Sequence, residues 1–335
     1  MKIGIIGAGR IGKVHASNIT RFVPQLQIKC IADPFMNDEM EQFAKNLGIP
    51  HVCSDSRQLL QDPEIQAVLI CSSTNTHADL IHQAAAAGKH IFCEKPIDYD
   101  INRVRQAISA AEAANVKLQV GFCRRFDHNH QAVYHMVRSG KVGQVHLVKI
   151  SSRDPEPPSI SYIKSSGGIF CDMMIHDFDM ARFLAGSEVT EVSAFGSVLV
   201  DPAIGAAGDV DTAVVTLRFE NGAIGIIDNS RQAVYGYDQR VEVFGSQGCA
   251  IDGNDLPSTA ALWNREGCIT DTTYQVMWDR YTGAFVAEMQ AFADAVIHDR
   301  QPLVTGTDGL YPVLMAAAAA RSLQEHRPVS ISEVE

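Results

Sequence analysis

The chain has 335 residues, of which 46% are hydrophobic and 20% charged, and its formal net charge is −11. This is the composition of an ordinary globular protein, and the length suggests two domains. The acidic balance argues against nucleic acid or an anionic membrane surface as the main partner. The sequence predicts neither a signal peptide nor a membrane span, so the expected location is the cytoplasm.

The first motif is a glycine-rich turn. A predicted strand, Lys2 to Ile6, leads directly into Gly7-Ala8-Gly9-Arg10-Ile11-Gly12 and then into a helical pattern. This is G-x-G-x-x-G in its strand-to-helix context, where the backbone can approach a pyrophosphate at the helix N-terminus. The alternative is a structural glycine turn that binds no ligand.

An acidic residue follows at the spacing that a dinucleotide site requires. The second predicted strand, 27–32, ends at Asp33, about 20 residues after the last glycine of the turn. An acid in this place hydrogen-bonds the hydroxyls of the adenosine ribose and repels a 2′-phosphate. The motif therefore favours NAD over NADP.

Helices and strands then alternate, which predicts an α/β fold with a doubly wound parallel sheet. The predicted helices are 37–47, 77–87 and 101–114, and the predicted strands are 67–71, 90–93 and 117–122. Ser73, Thr74, Asn75 and His77 follow one strand end, where ligands of such sheets collect, although they could also be plain turn and helix-cap residues.

Glu94-Lys95-Pro96 follows the next strand end, also on the ligand side. As an ammonium, Lys95 can stabilise a developing alkoxide, and Pro96 could form a cis bond that aims it. The alternative is a solvated lysine at a turn.

The second half predicts a largely antiparallel sheet. Successive strands without intervening helices are predicted at 145–153, 192–200, 212–219, 223–229 and 240–245, followed by helices at 285–297 and 308–325. We expect one face of this sheet to cover the helix that carries His176, and the other face, if apolar, to be a subunit interface.

The segment from Gly167 to Phe183 is predicted to be one helix, entered through two glycines. Asp172 and His176 lie four residues apart and would share a face, which makes an acid and imidazole pair suited to proton transfer near neutral pH. A structural ion pair is the alternative.

No metal site is expected. The eight cysteines are scattered, and the two histidines of Asp127-His128-Asn129-His130 are separated by one residue, which splits them across a helix. We expect the cysteines to be free thiols. We expect the segment 127–130 to make polar contacts with the substrate or at the domain junction.

These motifs occur together in the order seen in one enzyme family. The glycine-rich turn, Glu94-Lys95-Pro96, the segment Gly121 to Asp127 and the Asp172-to-His176 helix resemble the glucose-fructose oxidoreductase and inositol dehydrogenase family over almost the whole chain. Within that family the chain is most similar to inositol 2-dehydrogenases.

The resemblance implies a domain division and an assembly. An NAD-binding Rossmann domain is expected at 1–122 and a substrate-binding and oligomerisation domain at 123–335, with the last helix able to pack back on the first domain. A homotetramer is expected as well.

The implied reaction is NAD-dependent oxidation of a secondary alcohol on a cyclic polyol, with myo-inositol going to 2-keto-inositol (scyllo-inosose). Scyllo-inositol or a monosaccharide is the alternative substrate, and a non-catalytic NAD-binding sensor or regulator is the alternative class. In the family pattern His176 takes the hydroxyl proton, Asp172 orients it, and Lys95 holds or relays charge at the same oxygen.

The resemblance and the motifs together name the binding residues. The expected cofactor contacts are Gly7, Gly9, Arg10, Ile11, Gly12, Asp33, Ser73, Thr74, Asn75, His77, Glu94 and Lys95. The candidates for gripping the other hydroxyls are Arg125, Asp154, Tyr235 and Tyr237. The two tyrosines are predicted to share one side of an extended stretch, where a core or interface role is equally open. Asp154 stands where an Asn is expected in inositol members, which leaves the stereoisomer open.

Overall fold

The computed structural model describes all residues from 1 to 335. The chain divides into two compact units. The first unit is Met1–Phe126 with Thr282–Tyr311, and the second unit is Asp127–Tyr281 with Pro312–Glu335. None of its helices combines the length and the apolar character needed to cross a membrane.

The first unit contains a six-stranded sheet in the order β3-β2-β1-β4-β5-β6, and every pairing in it is parallel. The strands are β1 (Lys2–Ile6), β2 (Gln27–Ala32), β3 (His51–Cys53), β4 (Ala67–Ile70), β5 (His90–Cys93) and β6 (Leu118–Val120). This confirms the predicted doubly wound parallel sheet. The three-residue strand β3 was not predicted.

Helices cover this sheet. They are α1 (Arg10–Phe22), α2 (Asp38–Asn46), α3 (Ser56–Leu60), α4 (His77–Ala86) and α5 (Ile101–Ala113). Asn37, Asp55 and Asp100 each cap a helix by accepting a hydrogen bond from a backbone N–H in the first turn. The core also takes in Met289, Phe292 and Ala293, which are fully buried against β1, β4 and α1.

The second unit contains a seven-stranded sheet in the order β12-β11-β7-β10-β9-β8-β15. Its strands are β7 (Val145–Arg153), β8 (Val189–Ser197), β9 (Thr212–Phe219), β10 (Ile224–Ser230), β11 (Asp238–Gly245), β12 (Gly248–Asp252) and β15 (Val329–Ser330). Only β10 with β7 is parallel. The sheet is therefore mixed and mostly antiparallel, as the sequence predicts.

Seven further α-helices complete the chain, together with a separate hairpin of β13 (Ala261–Asn264) and β14 (Gly267–Thr270). The helices are α6 (His128–Arg138), α7 (Ile160–Ile163), α8 (Gly168–Asp172), α9 (Ile175–Ala185), α10 (Pro202–Ala206) and the pair α11 (Met277–Ile297) and α12 (Gly306–Glu325) that contains the divisions between units.

The prediction of one helix from Gly167 to Phe183 is wrong. The segment forms α8 and α9, which are separated by a turn at Met173 and Met174. The backbone N–H of Met174 donates to Ile169, five residues back, so the regular spacing of helical hydrogen bonds is lost at the turn. The two glycines do supply a tight entry, since Gly167 has φ +81 and Gly168 has φ +80.

One face of the second sheet carries exposed apolar side chains. Phe195 pairs with Val214, and Ile224 and Phe244 flank Leu147 on neighbouring strands. Phe195 is 74% exposed, and the hairpin of β13 and β14 adds Trp263, which is 80% exposed. A monomer rarely leaves a patch of this kind open to water.

Candidate active site

The glycine-rich turn has the backbone geometry of a phosphate-binding loop. Gly7 has φ +100, and its N–H donates to the carbonyl of Ala32 at the end of β2. A Cβ at Gly12 would collide with the carbonyl oxygen of Gly7, whereas a Cβ at Gly9 would meet nothing within 4 Å. Gly12 therefore serves the close packing of the turn, and Gly9 leaves its outer side open for a ligand. Arg10 and Ile11 form the first turn of α1.

Asp33 completes this half of the site. Its Oδ2 accepts a hydrogen bond from Ala8 N at 2.7 Å and its Oδ1 accepts one from Phe35 N at 2.9 Å. The carboxylate is thus fixed against the glycine-rich turn, at the end of β2. The residues present fit NAD, because an open backbone turn and an ordered acid stand at the spacing that the ribose and pyrophosphate need.

The loops after β4 and β5 are joined by a buried histidine. His77 Nδ1 lies 2.8 Å from the carbonyl oxygen of Pro96, and its Nε2 lies 2.9 Å from the carbonyl oxygen of Ser72. Ser73 precedes a short 3₁₀ turn that contains Thr74 and Asn75. The predicted contacts Ser73, Thr74 and Asn75 therefore belong to one ordered loop at the carboxyl edge of the sheet, and His77 begins the helix α4 that follows it.

Glu94 and Lys95 also lie at this edge. Lys95 is half-buried, and the bond between it and Pro96 is cis. The carboxylate of Glu94 is directed into the unit, where its Oε1 lies 2.7 Å from His15 Nε2. Glu94 thus contacts His15, a side chain of α1. Its role in binding the cofactor stays a prediction.

Arg125, a predicted substrate residue, is held by an acid of the first unit. Its Nη2 donates to Asp308 Oδ1 at 2.8 Å, and only 9% of its side chain is exposed. The Asp308 carboxylate also accepts hydrogen bonds from Thr305 through its second oxygen. The guanidinium therefore has a fixed position and orientation.

In the second unit, Asp172 is held by two side chains that sequence reasoning missed. The hydroxyl of Tyr162 donates to Asp172 Oδ1 at 2.8 Å, and Arg231 Nη1 donates to Oδ2 at 3.0 Å. Arg231 is 1% exposed and lies 3.5 Å from a second acid, Asp209. A buried guanidinium of this kind orients a carboxylate strongly.

His176 lies in the first turn of α9, just after the break that separates it from Asp172. Most of α9 is buried, and the fully buried acids Asp177 and Asp179 flank Phe178 on it. Asp177 accepts a hydrogen bond from the side-chain amide of Asn229 at 2.9 Å. The helix that carries the imidazole is therefore firmly packed, and it contacts β7 of the sheet as expected.

The prediction that Tyr235 and Tyr237 share one side of an extended stretch is wrong. A turn with Gly236 at φ +118 separates them. Tyr235 is 45% exposed and donates to Asp238, whereas Tyr237 is 5% exposed and packs edge-on against Tyr281. Burial and the neighbouring acid raise the pKa of Tyr235.

Asp154 follows β7 and joins the same region. Its N–H donates to the carbonyl of Ser230, and its own carbonyl accepts from Ala233 N. Its backbone is thus fixed next to Arg231, one residue beyond Ser230. The substrate roles of Asp154, Tyr235 and Tyr237 stay predictions.

Asp127, His130 and Asp252 form a buried cluster with Arg280. Arg280 donates to both oxygens of Asp127, which also accepts from the backbone N–H groups of Asn129 and His130. His130 Nε2 lies 3.4 Å from Asp252. Since Asp127 already has four donors, the arrangement is an ion-pair network with little capacity left for a metal ion.

Sequence reasoning missed Tyr162, Arg231, Asp209 and the Arg280 network. Tyr162 lies 10 residues and Arg231 lies 59 residues from Asp172, so no local spacing connects them. The only available signal was the position of Arg231, a charged residue that lies just after the predicted strand 223–229.

Known proteins resemble this chain over its full length. Two family models match it: "Oxidoreductase family, NAD-binding Rossmann fold" at residues 1–122 and "GFO/IDH/MocA C-terminal domain" at residues 130–251. A myo-inositol 2-dehydrogenase of Thermotoga maritima is 46% identical, with 100% of this chain and 99% of that protein covered. An inositol 2-dehydrogenase of Rhizobium meliloti is 44% identical, with 99% of both covered.

Solved structures agree with this. A myo-inositol dehydrogenase from Corynebacterium glutamicum has a TM-score of 0.93 at 37% identity, with 98% of both chains covered. A scyllo-inositol dehydrogenase from Lactobacillus casei, solved with bound NAD(H) and scyllo-inositol, has a TM-score of 0.92 at 32% identity, with 99% of both chains covered. These similarities confirm the family that the motifs indicate, and the chain belongs to the GFO/IDH/MocA oxidoreductases, whose N-terminal domain is an NAD-binding Rossmann fold.

Proposed function

We propose that this protein is an NAD-dependent inositol dehydrogenase, which oxidises one secondary alcohol of a cyclic polyol to a ketone. Two relatives with inositol in their names are 44% and 46% identical over the whole chain. The observation in this chain that carries the proposal is the Asp172 carboxylate held by Tyr162 and Arg231, four residues before His176. In the proposed enzyme the first unit binds NAD, and the second unit supplies most of the groups that bind the polyol.

The chemistry needs a base beside the reacting hydroxyl. A hydride leaves the carbon only as the hydroxyl proton departs, and bound NAD supplies the acceptor for that hydride. We assign the proton to His176 and the orientation of its imidazole to Asp172. Tyr162 and Arg231 keep Asp172 in place, so it need not reorganise during the reaction. Lys95 is the cation that stabilises charge on the same oxygen.

The first substrate to test is myo-inositol, with scyllo-inosose as the product. Scyllo-inositol is the second, because one structural relative binds it. The charged Asp154 favours a polyol whose neighbouring hydroxyl can donate to a carboxylate, since a carboxylate only accepts. Asp154→Asn supplies an N–H donor as well and should change the ratio of kcat/KM between the two isomers.

The test measures NADH formed from NAD with myo-inositol, scyllo-inositol or D-glucose, each offered separately. His176→Ala should lower kcat by at least about 100-fold, which is the contribution typical of a general base. His298→Ala is the matched control, because His298 is an exposed histidine beside Asp294. Turnover of none of the three compounds by protein that binds NAD would refute the inositol assignment, and full activity of His176→Ala would refute the assigned base.

We also propose that the enzyme is a homotetramer. The apolar sheet face with Phe195 and Phe244, and the hairpin with Trp263, offer surface for partner copies. Light scattering after size-exclusion chromatography should give four times the mass of the chain, and Trp263→Ser with Phe244→Glu should reduce it. A monomeric wild-type protein would contradict this proposal.

We also propose a cytoplasmic location. Eight free cysteines support it, because thiols persist in a reducing compartment.

A further inference from the structure

A fully buried acid lies in the first unit. Glu288 on α11 is 0% exposed, and neither of its carboxylate oxygens has a hydrogen-bond partner. A buried carboxylate without partners costs several kcal/mol. Glu288 therefore demands an explanation that the NAD site described above does not give.

Glu288 belongs to a cluster that extends to the Glu94-Lys95 turn. The ring of Phe285, three residues earlier on the same face of α11, packs edge-on against His15 with centroids 5.6 Å apart. His15 in turn pairs with Glu94, and its ring is 0% exposed. The side-chain amide of Gln119 donates to the main-chain carbonyl of Glu288. The helices α1 and α11, the strand β6 and the turn after β5 thus contribute to one connected, buried cluster.

The cluster has more acceptors than donors. Both oxygens of Glu288 and the Oε1 of Gln119 are buried acceptors without a donor, and the only donor that can reach a carboxylate here is His15 Nε2, 2.7 Å from Glu94 Oε1. A fully buried carboxyl group that lacks a hydrogen-bond donor does not ionise easily, so Glu288 retains its proton. Burial, and then the charge of Glu94, raise the pKa of Glu288 well above its usual range.

The other titratable groups around the cluster do not supply a charge that would stabilise ionised Glu288. Burial is the main cause that raises the pKa of the thiols of Cys71, Cys93 and Cys123, which therefore stay neutral. The cations that act on this region are Lys95 and Arg124, which both lower the pKa of Cys123. The charge that acts on Glu288 besides its burial is that of Glu94.

We propose that Glu288, buried beside Glu94, holds a proton in the cofactor-free enzyme and releases it to solvent when the cationic nicotinamide of NAD⁺ binds. In a sheet of this order the nicotinamide half of the cofactor occupies the side of β4, β5 and β6, and Glu94 directly follows β5. A nearby positive charge favours the ionised acid. NADH has a neutral ring and lacks this effect. The inference deepens the proposed function and rests on its NAD site alone.

The test compares proton release on binding NAD⁺ and NADH, by calorimetric titration in two buffers with different ionisation enthalpies. The wild-type protein should release more protons with NAD⁺ than with NADH. If one full proton leaves, the affinity for NAD⁺ relative to NADH rises about tenfold per unit of pH. Glu288→Gln has the shape of the neutral acid but cannot ionise, so it should abolish the difference and leave NADH affinity unchanged. Glu112→Gln, an exposed substitution on α5, should retain the difference.

Three results would overturn the inference. The difference between NAD⁺ and NADH could persist in Glu288→Gln and vanish in Lys95→Met, which would assign the proton to the lysine. Infrared spectra of the wild-type protein, which do not depend on any variant folding, could lack the carbonyl band of a buried protonated carboxyl that NAD⁺ removes. A wild-type chain that binds neither cofactor would refute the NAD site as well, whereas NAD binding without polyol turnover would refute only the substrate.

Discussion

Replacing Asp252 by Asn should stabilise the protein at alkaline pH. Asp252 lies in the ion-pair network with His130 and Arg280, and only 6% of it is exposed. Burial is the main cause that raises its pKa from the usual 3.8 to about 6, and Arg280 offsets this only in part. The folded state therefore holds this proton more tightly than the unfolded state does.

The sign and size of the effect follow from that difference. The stabilising contribution of protonated Asp252 is fully present below its unfolded pKa of 3.8 and is lost as the pH rises through about 6. A shift of this size corresponds to about 3 kcal/mol at most. Asp252→Asn stays neutral at every pH and keeps an oxygen that can accept from Asn254 N, as Asp252 Oδ1 does now. It should exceed the wild-type free energy of unfolding by about 1–3 kcal/mol at alkaline pH.

Chemical denaturation at about pH 8, 6 and 4 measures this directly. The advantage of Asp252→Asn should shrink steadily from the first condition to the last, where the wild-type carboxyl is close to half protonated even when unfolded. Asp255→Asn is the matched control, because 27% of that side chain is exposed, and it should change the stability by no more than about 0.5 kcal/mol. A variant that is less stable than the wild type at alkaline pH would show that the attraction to Arg280 outweighs the cost of burial, and the reasoning would be wrong.

Three further predictions concern the NAD site and the carboxylate of Asp172. Gly9→Ala should leave the melting temperature unchanged but weaken NAD binding at least about tenfold in calorimetric titration, because its methyl group enters the open space that the pyrophosphate needs. Gly12→Ala should lower both the melting temperature and the affinity for NAD, because its methyl group would collide with the carbonyl oxygen of Gly7. Asp33→Asn keeps an acceptor for the turn but loses a charge-assisted bond of about 1.5–3 kcal/mol. The kcat/KM of this variant with NAD should fall about 10- to 100-fold, and the ratio of kcat/KM with NAD to that with NADP should decrease. An unchanged ratio would count against the assignment of Asp33 to the adenosine ribose. Arg231→Met leaves Asp172 without its buried cation and should cost about 3 kcal/mol in denaturant unfolding, with Arg231→Lys retaining part of it.

The NAD-binding unit could be predicted because its signals are local. The glycine-rich turn, Asp33 and the strand ends at Ile70 and Cys93 are short-range patterns, and the structure has the predicted strands within one or two residues. The omitted strand β3 has three residues, which is too short for a periodic pattern to stand out. Sheet order then follows from general rules for parallel sheets.

The second unit was harder because distant residues decide its local geometry. The pattern from Gly167 to Phe183 is helical throughout, yet the helix breaks at Met173 and Met174, directly after Asp172. The cation that holds Asp172 is Arg231, 59 residues away, so no short window of sequence contains this contact. The error at the two tyrosines has a local cause instead, since Gly236 between them has a positive φ and turns Tyr235 away from Tyr237.

The bridge that His77 makes between the loops after β4 and β5 has a consequence for the thermodynamics of binding. Because one buried imidazole contacts the carbonyls of Ser72 and Pro96, the two loops are already ordered before a cofactor arrives. A surface that is rigid beforehand loses little conformational entropy when it binds a ligand. Removing the bridge should therefore make the entropy of NAD binding less favourable while the enthalpy changes little, since the loops would then have to become ordered in each binding event.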